Sequence, residues 1–275
     1  MSVRQTDDTV ATINAWSQTW ADLVGAILWQ STLLVIAVAA VAFVMRRTSP
    51  RLRFWLWQIV AIKLLLMPFW TFAPTAAPPA VPGRADLLGL SWQSWLLGGW
   101  CVVVTLQISR LAWQRVRLSG LLERASPADG RVQQLVGDAA EKLGLRCNLR
   151  AVLTEFDCSP FVCGILQPVL VLPRDVLNSL DETQLRQVLL HEVAHVKERD
   201  LVWNWLPEIV RILYFFHPAA YYVNYRIGLE REVSCDQLAM SASAASAADY
   251  ADTLVKVASH SSQPAALKAA AAHSG

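Results

Sequence analysis

The sequence predicts a mainly α-helical membrane protein with a small β-sheet, in which three N-terminal spans precede a more polar domain. Three observations predict it. The composition is 54% hydrophobic and only 17% charged, with a mean hydropathy of +0.34, too apolar for an ordinary soluble chain of 275 residues. The apolar residues gather into long uncharged runs in the first 110 positions. The second half alternates amphipathic patterns with two short runs rich in Val and Leu. The formal net charge of +2, without a basic stripe interleaved with aromatics, argues against direct nucleic-acid binding. Five cysteines are an odd number, and Cys147, Cys158, Cys163 and Cys235 fall in the polar half, so they are read as free thiols rather than a disulfide framework.

The first span is LVGAILWQSTLLVIAVAAVAFVM, residues 23–45, where 23 consecutive uncharged residues suffice to cross roughly 30 Å of hydrocarbon as a helix. Its length and the acidic residues before it argue against a cleaved signal peptide. The second span, 54–72, carries Lys63 near its middle and ends at the turn-forming PTAAPPAVPG. A cation at mid-bilayer is costly, so Lys63 is expected to face other helices or water within the bundle. The third span, 87–109, is again uncharged and lies between Asp86 and Arg110. Arg46, Arg47, Arg51 and Arg53 fill the first loop, and Arg110, Arg115, Arg117 and Arg124 follow the third span, whereas the loop between spans two and three holds Arg84 alone. The positive-inside bias therefore places residues 1–20 outside and 111–260 in the cytosol.

In the polar half, RLAWQRVRLSGLLERA and RVQQLVGDAAEKLG read as two amphipathic helices, the second ended by Gly144. LRAVLT and PVLVLP, with FDCSPFVCG between them, read as a small sheet or hairpin. NSLDETQLRQVLLHEVAHVKERD opens with a capping box at Ser179-Leu-Asp-Glu182 and continues helically. On this helix His191 and His195 are four residues apart, so both imidazoles leave one face and can hold one zinc ion, with Glu192 beside them. This is the HExxH pattern, in which the glutamate serves as general base toward a water whose acidity the ion has raised.

A catalytic zinc needs a third protein ligand. The best candidate is Glu232 in LEREVSCDQLA, with Asp236 one turn later placed to accept a hydrogen bond from a ligating imidazole; Glu230 points elsewhere. This pairing makes residues 201–225 non-spanning, because a crossing there would put His191 and Glu232 on opposite sides. Asn204, Pro207, Glu208, Arg211 and Pro218 suit a helix lying at the interface or tucked under the domain. His217 in FFHPAA is read as a packed or helix-end histidine.

SPFVCGILQPVLVLP, LRQVLLHEVAHVKERD and FFHPAAYYVNYRIGLEREVSCDQLA, standing behind three spans, together resemble the BlaR/MecR family of membrane zinc metallopeptidases. The resemblance implies a gluzincin-type, zincin-like metallopeptidase domain at 111–260, with His191, His195 and Glu232 as zinc ligands and Glu192 as base. It implies that Val169, Leu170 and Val171 offer an edge for an extended substrate. It also implies a bacterial inner-membrane location, and as substrate the chain itself or a cytosolic winged-helix repressor of the BlaI/MecI type. Residues 261–275 are Ala-rich, and no SxxK-type serine site is present, so sensing of β-lactams does not follow. Two other readings share these residues: a quality-control protease like HtpX or the CAAX proteases, and a non-catalytic signalling scaffold whose zinc holds the fold. A site-2-type intramembrane protease fits less well, since KERD continues the helix into water.

Overall fold

The computed structural model describes residues 2–71, 89–146, 148–156 and 158–260; Cys147, the loop carrying Arg84, the ends of the second and third predicted spans that border it, and the Ala-rich tail lie outside them. The chain is mostly helical. Helix α1 runs Ser2–Val44, a 3-10 turn covers Met45–Arg47, α2 is Pro50–Thr71 and α3 is Trp92–Glu123. Helices α1 and α3 are long and apolar enough to cross a membrane. Helix α2 is the central one: Trp57, Val60, Ala61 and Leu64 are fully buried against α1 and against two later helices. Lys63 departs from expectation. It lies on the exposed outer face of α2, one turn from exposed Ile59 and Leu66, because the buried face is already filled by the apolar residues flanking it.

Helix α3 passes without a break through position 110, so the first predicted amphipathic helix is an extension of the third span. Its far end packs Leu118 onto the sheet with Val152, Cys163 and Val171. At its near end Ser91 caps the helix, and Asn14 of α1 accepts hydrogen bonds from the Ser91 amide and the Ser94 hydroxyl, both at 2.8 Å. Next come the short strand β1 (Ser126–Pro127) and α4 (Gly130–Lys142), which ends at Gly144 in the left-handed region (φ 67°).

The sheet is not a hairpin of the two apolar runs. Strands β2 (Arg150–Thr154) and β4 (Val169–Pro173) pair in parallel, β3 (Phe161–Cys163) adds antiparallel to β4, and the order is β1-β2-β4-β3. The continuous apolar character of LRAVLT and PVLVLP follows from burial on both faces, one against α4 and the helix at Glu182–Glu198, the other against α3.

After α5 (Arg174–Ser179) comes α6 (Glu182–Glu198). Its capping box is two residues later than predicted: Asp181 is the N-cap, its side chain accepts from the Gln184 amide at 2.9 Å, and Gln184 Oε1 accepts from the Asp181 amide at 3.2 Å. Leu180 is extended between α5 and α6, so Ser179 closes one helix rather than opening the next. Helices α7 (Asp200–Trp203), α8 (Trp205–Leu213), α9 (Pro218–Ala242) and α10 (Ala247–His260) complete the chain.

Residues 201–225 do not form one helix lying flat. They fold as a helical hairpin, with α8 leading in, a turn at Tyr214–His217, and α9 leading back out. This hairpin is wedged among the long helices. The Tyr214 hydroxyl donates to the Leu64 carbonyl at 3.0 Å, Trp100 Nε1 donates to the Leu213 carbonyl at 2.9 Å, and Gln58 Nε2 donates to the Trp203 carbonyl at 3.2 Å. His217 is buried at the tip: Nδ1 accepts from the Ala219 amide, capping α9, and Nε2 meets Ser31 Oγ of α1 at 2.5 Å.

Candidate metal centre

Helix α6 is built so that one face enters the core and the adjacent one carries the motif. Leu185, Leu189 and Val193 pack with the sheet and with Cys235 and Ala239 of α9. That contact brings α9 alongside α6 and sets Glu232 opposite the two histidines. His191 Nε2 and His195 Nε2 stand 3.2 Å apart, and Glu232 Oε2 lies 3.7 Å from the first and 3.8 Å from the second. Ligand atoms arranged tetrahedrally at about 2.1 Å from an ion stand roughly 3.4 Å from one another. The three atoms therefore form a triangle of the size of one face of a zinc tetrahedron, with the fourth position open, and the residues fit the metal.

Both imidazoles are held by the other nitrogen. His191 Nδ1 donates to Asp236 Oδ1 at 3.0 Å, and the Tyr250 hydroxyl of α10 donates to the same oxygen at 2.9 Å. His195 Nδ1 donates to Asp200 Oδ2 at 2.7 Å. Each bond fixes the tautomer that leaves Nε2 as a lone-pair donor. Glu232 is oriented by Arg231, whose Nη2 and Nε donate to Oε1 at 2.9 and 3.2 Å, while Nη1 reaches Asn204 Oδ1 at 3.0 Å; Oε2 is left to face the histidines.

Asp200, Arg231 and Tyr250 were not singled out from the sequence. Asp200 depends on a backbone feature: Arg199 adopts φ 58° and ψ 34°, a left-handed turn costing a non-glycine residue roughly 1–2 kcal/mol, and it swings the chain back so that Asp200 reaches His195. In sequence KERD reads as a solvated charge run. Arg231 is masked by its acidic neighbours, and Tyr250 lies 59 residues from His191.

The electrostatics match a cation site. Burial opposes charge on His191, but the hydrogen bond to Asp236 and the nearby Glu192, Glu232 and Asp236 outweigh it and raise its pKa. Glu232 and Asp236 are also desolvated, yet the histidines, with Arg231 for the former and Tyr250 for the latter, hold both below the usual carboxylate range. Glu192 is buried, and desolvation raises its pKa, with His191 and His195 pulling the other way. A carboxylate so raised is a better proton acceptor than an exposed one. Cys235 is buried 3.4 Å from Asp200 Oδ2 and 3.3 Å from His195 Nδ1; burial and Asp200 push its thiol up, so it remains a protonated support for Asp200.

Val169, Leu170 and Val171 do not offer an edge. Strand β4 is paired on both sides, by β2 and by β3, and its backbone donors and acceptors are spent in the sheet. The outer strand on that side is β3, which packs against α6. Cys158 and Cys163 are buried and form no disulfide among the described residues, and Cys163 Sγ is directed at the Val169 carbonyl at 3.7 Å.

An HExxH helix facing a carboxylate from a neighbouring helix, with both imidazoles anchored at Nδ1, is an arrangement suited to a metallopeptidase. The chain belongs to the BlaR1 peptidase M56 family, whose model matches residues 71–274. It is similar to the regulatory protein BlaR1 of Bacillus licheniformis, 37% identical over 79 residues, which is 28% of this chain and 13% of that protein. It is also similar to the methicillin resistance mecR1 proteins of Staphylococcus aureus and Staphylococcus epidermidis, 30% identical over 79 residues, 29% of this chain and 14% of theirs. The matched stretch is thus a small part of each relative.

Proposed function

We propose that the protein is a membrane-bound, zinc-dependent endopeptidase that cleaves itself, a cytosolic winged-helix repressor, or both. The carrying observation is the triangle of His191 Nε2, His195 Nε2 and Glu232 Oε2. When bound, zinc supplies a Lewis acid that polarises the scissile carbonyl and makes water a nucleophile at neutral pH. His191, His195 and Glu232 would hold it, and Asp236, Asp200 and Arg231 keep those ligands in register. Glu192 accepts the proton of the attacking water and returns it to the departing amine. An extended substrate lies along β3, the outer strand nearest α6, by backbone hydrogen bonds.

In this reading α1, α2 and α3 span a bacterial inner membrane, with the N-terminus outside and the catalytic domain in the cytosol, and the α8–α9 hairpin enters and leaves from the cytosolic side. From His217 at the tip to Glu232 is fifteen residues, roughly 22 Å at 1.5 Å each; from Ser31 to Met45 of α1 is roughly 21 Å. Glu232 therefore sits level with the cytosolic end of α1. The hairpin packs against α1, α2 and α3, and a helix break at membrane depth is tolerated where it is covered by protein.

The test is zinc content and proteolysis of the purified chain. Glu192→Gln should keep its zinc and lose cleavage by on the order of 10²–10⁴-fold. Glu232→Gln should lose zinc as well. Cleavage surviving in Glu192→Gln would overturn the proposal.

A further inference from the structure

Where α1 ends and α2 begins, both helices flank α9 around a cavity of about 350 Å³. Arg46, Arg53 and Arg226 line it, with Glu230 as the single carboxylate at its floor. Arg53 is engaged through two of its nitrogens: Nε donates to Glu230 Oε2 at 2.8 Å, and Nη1 donates to the Thr48 and Arg46 carbonyls at 2.7 and 3.0 Å. Arg226 Nη2 donates to Glu230 Oε1 at 2.7 Å and its guanidinium lies 5.7 Å from the Trp57 ring centre, but its Nε is buried with no acceptor among the described residues. Arg46 is exposed, stacks 4.9 Å over Phe43, and has no carboxylate partner among the described residues.

Three guanidiniums against one carboxylate leave the cavity cationic, and a buried N–H without an acceptor asks for one. The remaining wall is apolar and aromatic, with Phe43, Trp57 and Tyr222, and it continues outward onto the exposed apolar residues Phe43, Val44 and Leu229. A free anion has no use for that wall. We propose that this cavity binds the phosphodiester headgroup of an anionic phospholipid, with the guanidinium groups of Arg46 and Arg226 as its cationic partners and the acyl chains laid along the outer face of α1. The level fits, since Met45–Arg47 marks the end of the apolar run of α1, where headgroups lie. The proposal rests on the membrane placement of α1 given above and not on peptidase activity, so failure of the Glu192→Gln test leaves it standing.

The full chain is placed in nanodiscs of phosphatidylcholine containing a minor fraction of phosphatidylglycerol, and lipid retained on mild extraction is counted by native mass spectrometry. Phosphatidylglycerol is expected to be enriched over its bulk fraction. Arg46→Gln should cut that enrichment about fivefold and the Arg46→Gln, Arg226→Gln pair about thirtyfold, each guanidinium near an anionic lipid surface being worth roughly a factor of five. Arg46 makes no ion pair among the described residues, so its single variant reads binding apart from the loss of a buried pair. Arg117→Gln with Arg124→Gln removes the same charge elsewhere and should leave enrichment unchanged. The proposal is overturned if the wild type shows no preference, if the Arg46 variants keep it, if the control pair loses as much, or if inorganic phosphate displaces phosphatidylglycerol.

Discussion

At the residue scale, the proposed chemistry depends on groups that touch no substrate. Asp200 and Arg231 each orient one ligand, and contacts of this kind typically set metal affinity by 10–100-fold. Asp200→Asn and Arg231→Met are each expected to weaken zinc binding within that range in a chelator competition, with α-helical content intact. Affinity equal to wild type in both would mean that the ligands are positioned by packing alone. A second expectation concerns Glu182, which lies on the surface. Arg131 and Arg186 hold its carboxyl below the usual range, Arg186 Nη2 at 2.9 Å. Because its folded pKa is depressed, its contribution is present above the ordinary glutamate value of 4.5 and is lost as pH falls through the lowered folded value. Wild type and Glu182→Gln should therefore differ in thermal midpoint at pH 7 and converge in acid. A gap that widens on acidification would reverse the assignment.

At the element scale, α9 connects everything. Its first turns sit in the hairpin among α1, α2 and α3, its middle lines the cationic cavity, and two residues beyond Glu230 it presents Glu232. The first turn of α2 reaches both helices of the site: Arg53 holds Glu230 of α9 at 2.8 Å, and Arg51 reaches Glu198 at the end of α6 at 3.4 Å. The Arg51 pair is exposed on one side and contributes little. The Arg53 pair is buried, with side chains 12% and 3% exposed, and breaking such a pair costs roughly 3–5 kcal/mol. Arg226 keeps one Glu230 oxygen, so Arg53→Gln should fall at the low end of that range, read as a lower unfolding midpoint in detergent. The arginines that the sequence assigns to membrane orientation thus have a second role, visible only when α9 lies beside them. The capping box at Asp181 teaches a related lesson: several Ser, Asp and Glu residues cluster there, and the extended Leu180 decides which of them caps α6.

At the scale of the whole molecule, the question is on which side each half of the site lies. On the proposed topology the hairpin returns to the side from which it entered, so a reporter fused after Ser241 should give the same signal as one fused after Arg124. Opposite signals would mean that residues 201–225 cross the membrane, and the metal centre could not assemble. The sequence by itself determined the apolar helices and the two motifs, HExxH on α6 and LEREVSCD on α9, because each is written in local spacing of three or four residues; their pairing rested on the need of a zinc site for a third ligand and not on spacing. Tertiary structure alone decided that α2 is the core of the bundle and Lys63 its outer face, that β4 is interior, that 201–225 is a wedged hairpin, and that Asp200, Arg231 and Tyr250 complete the centre. These depend on which surfaces meet across long separations, and periodicity says which face of an element is apolar but not what covers it.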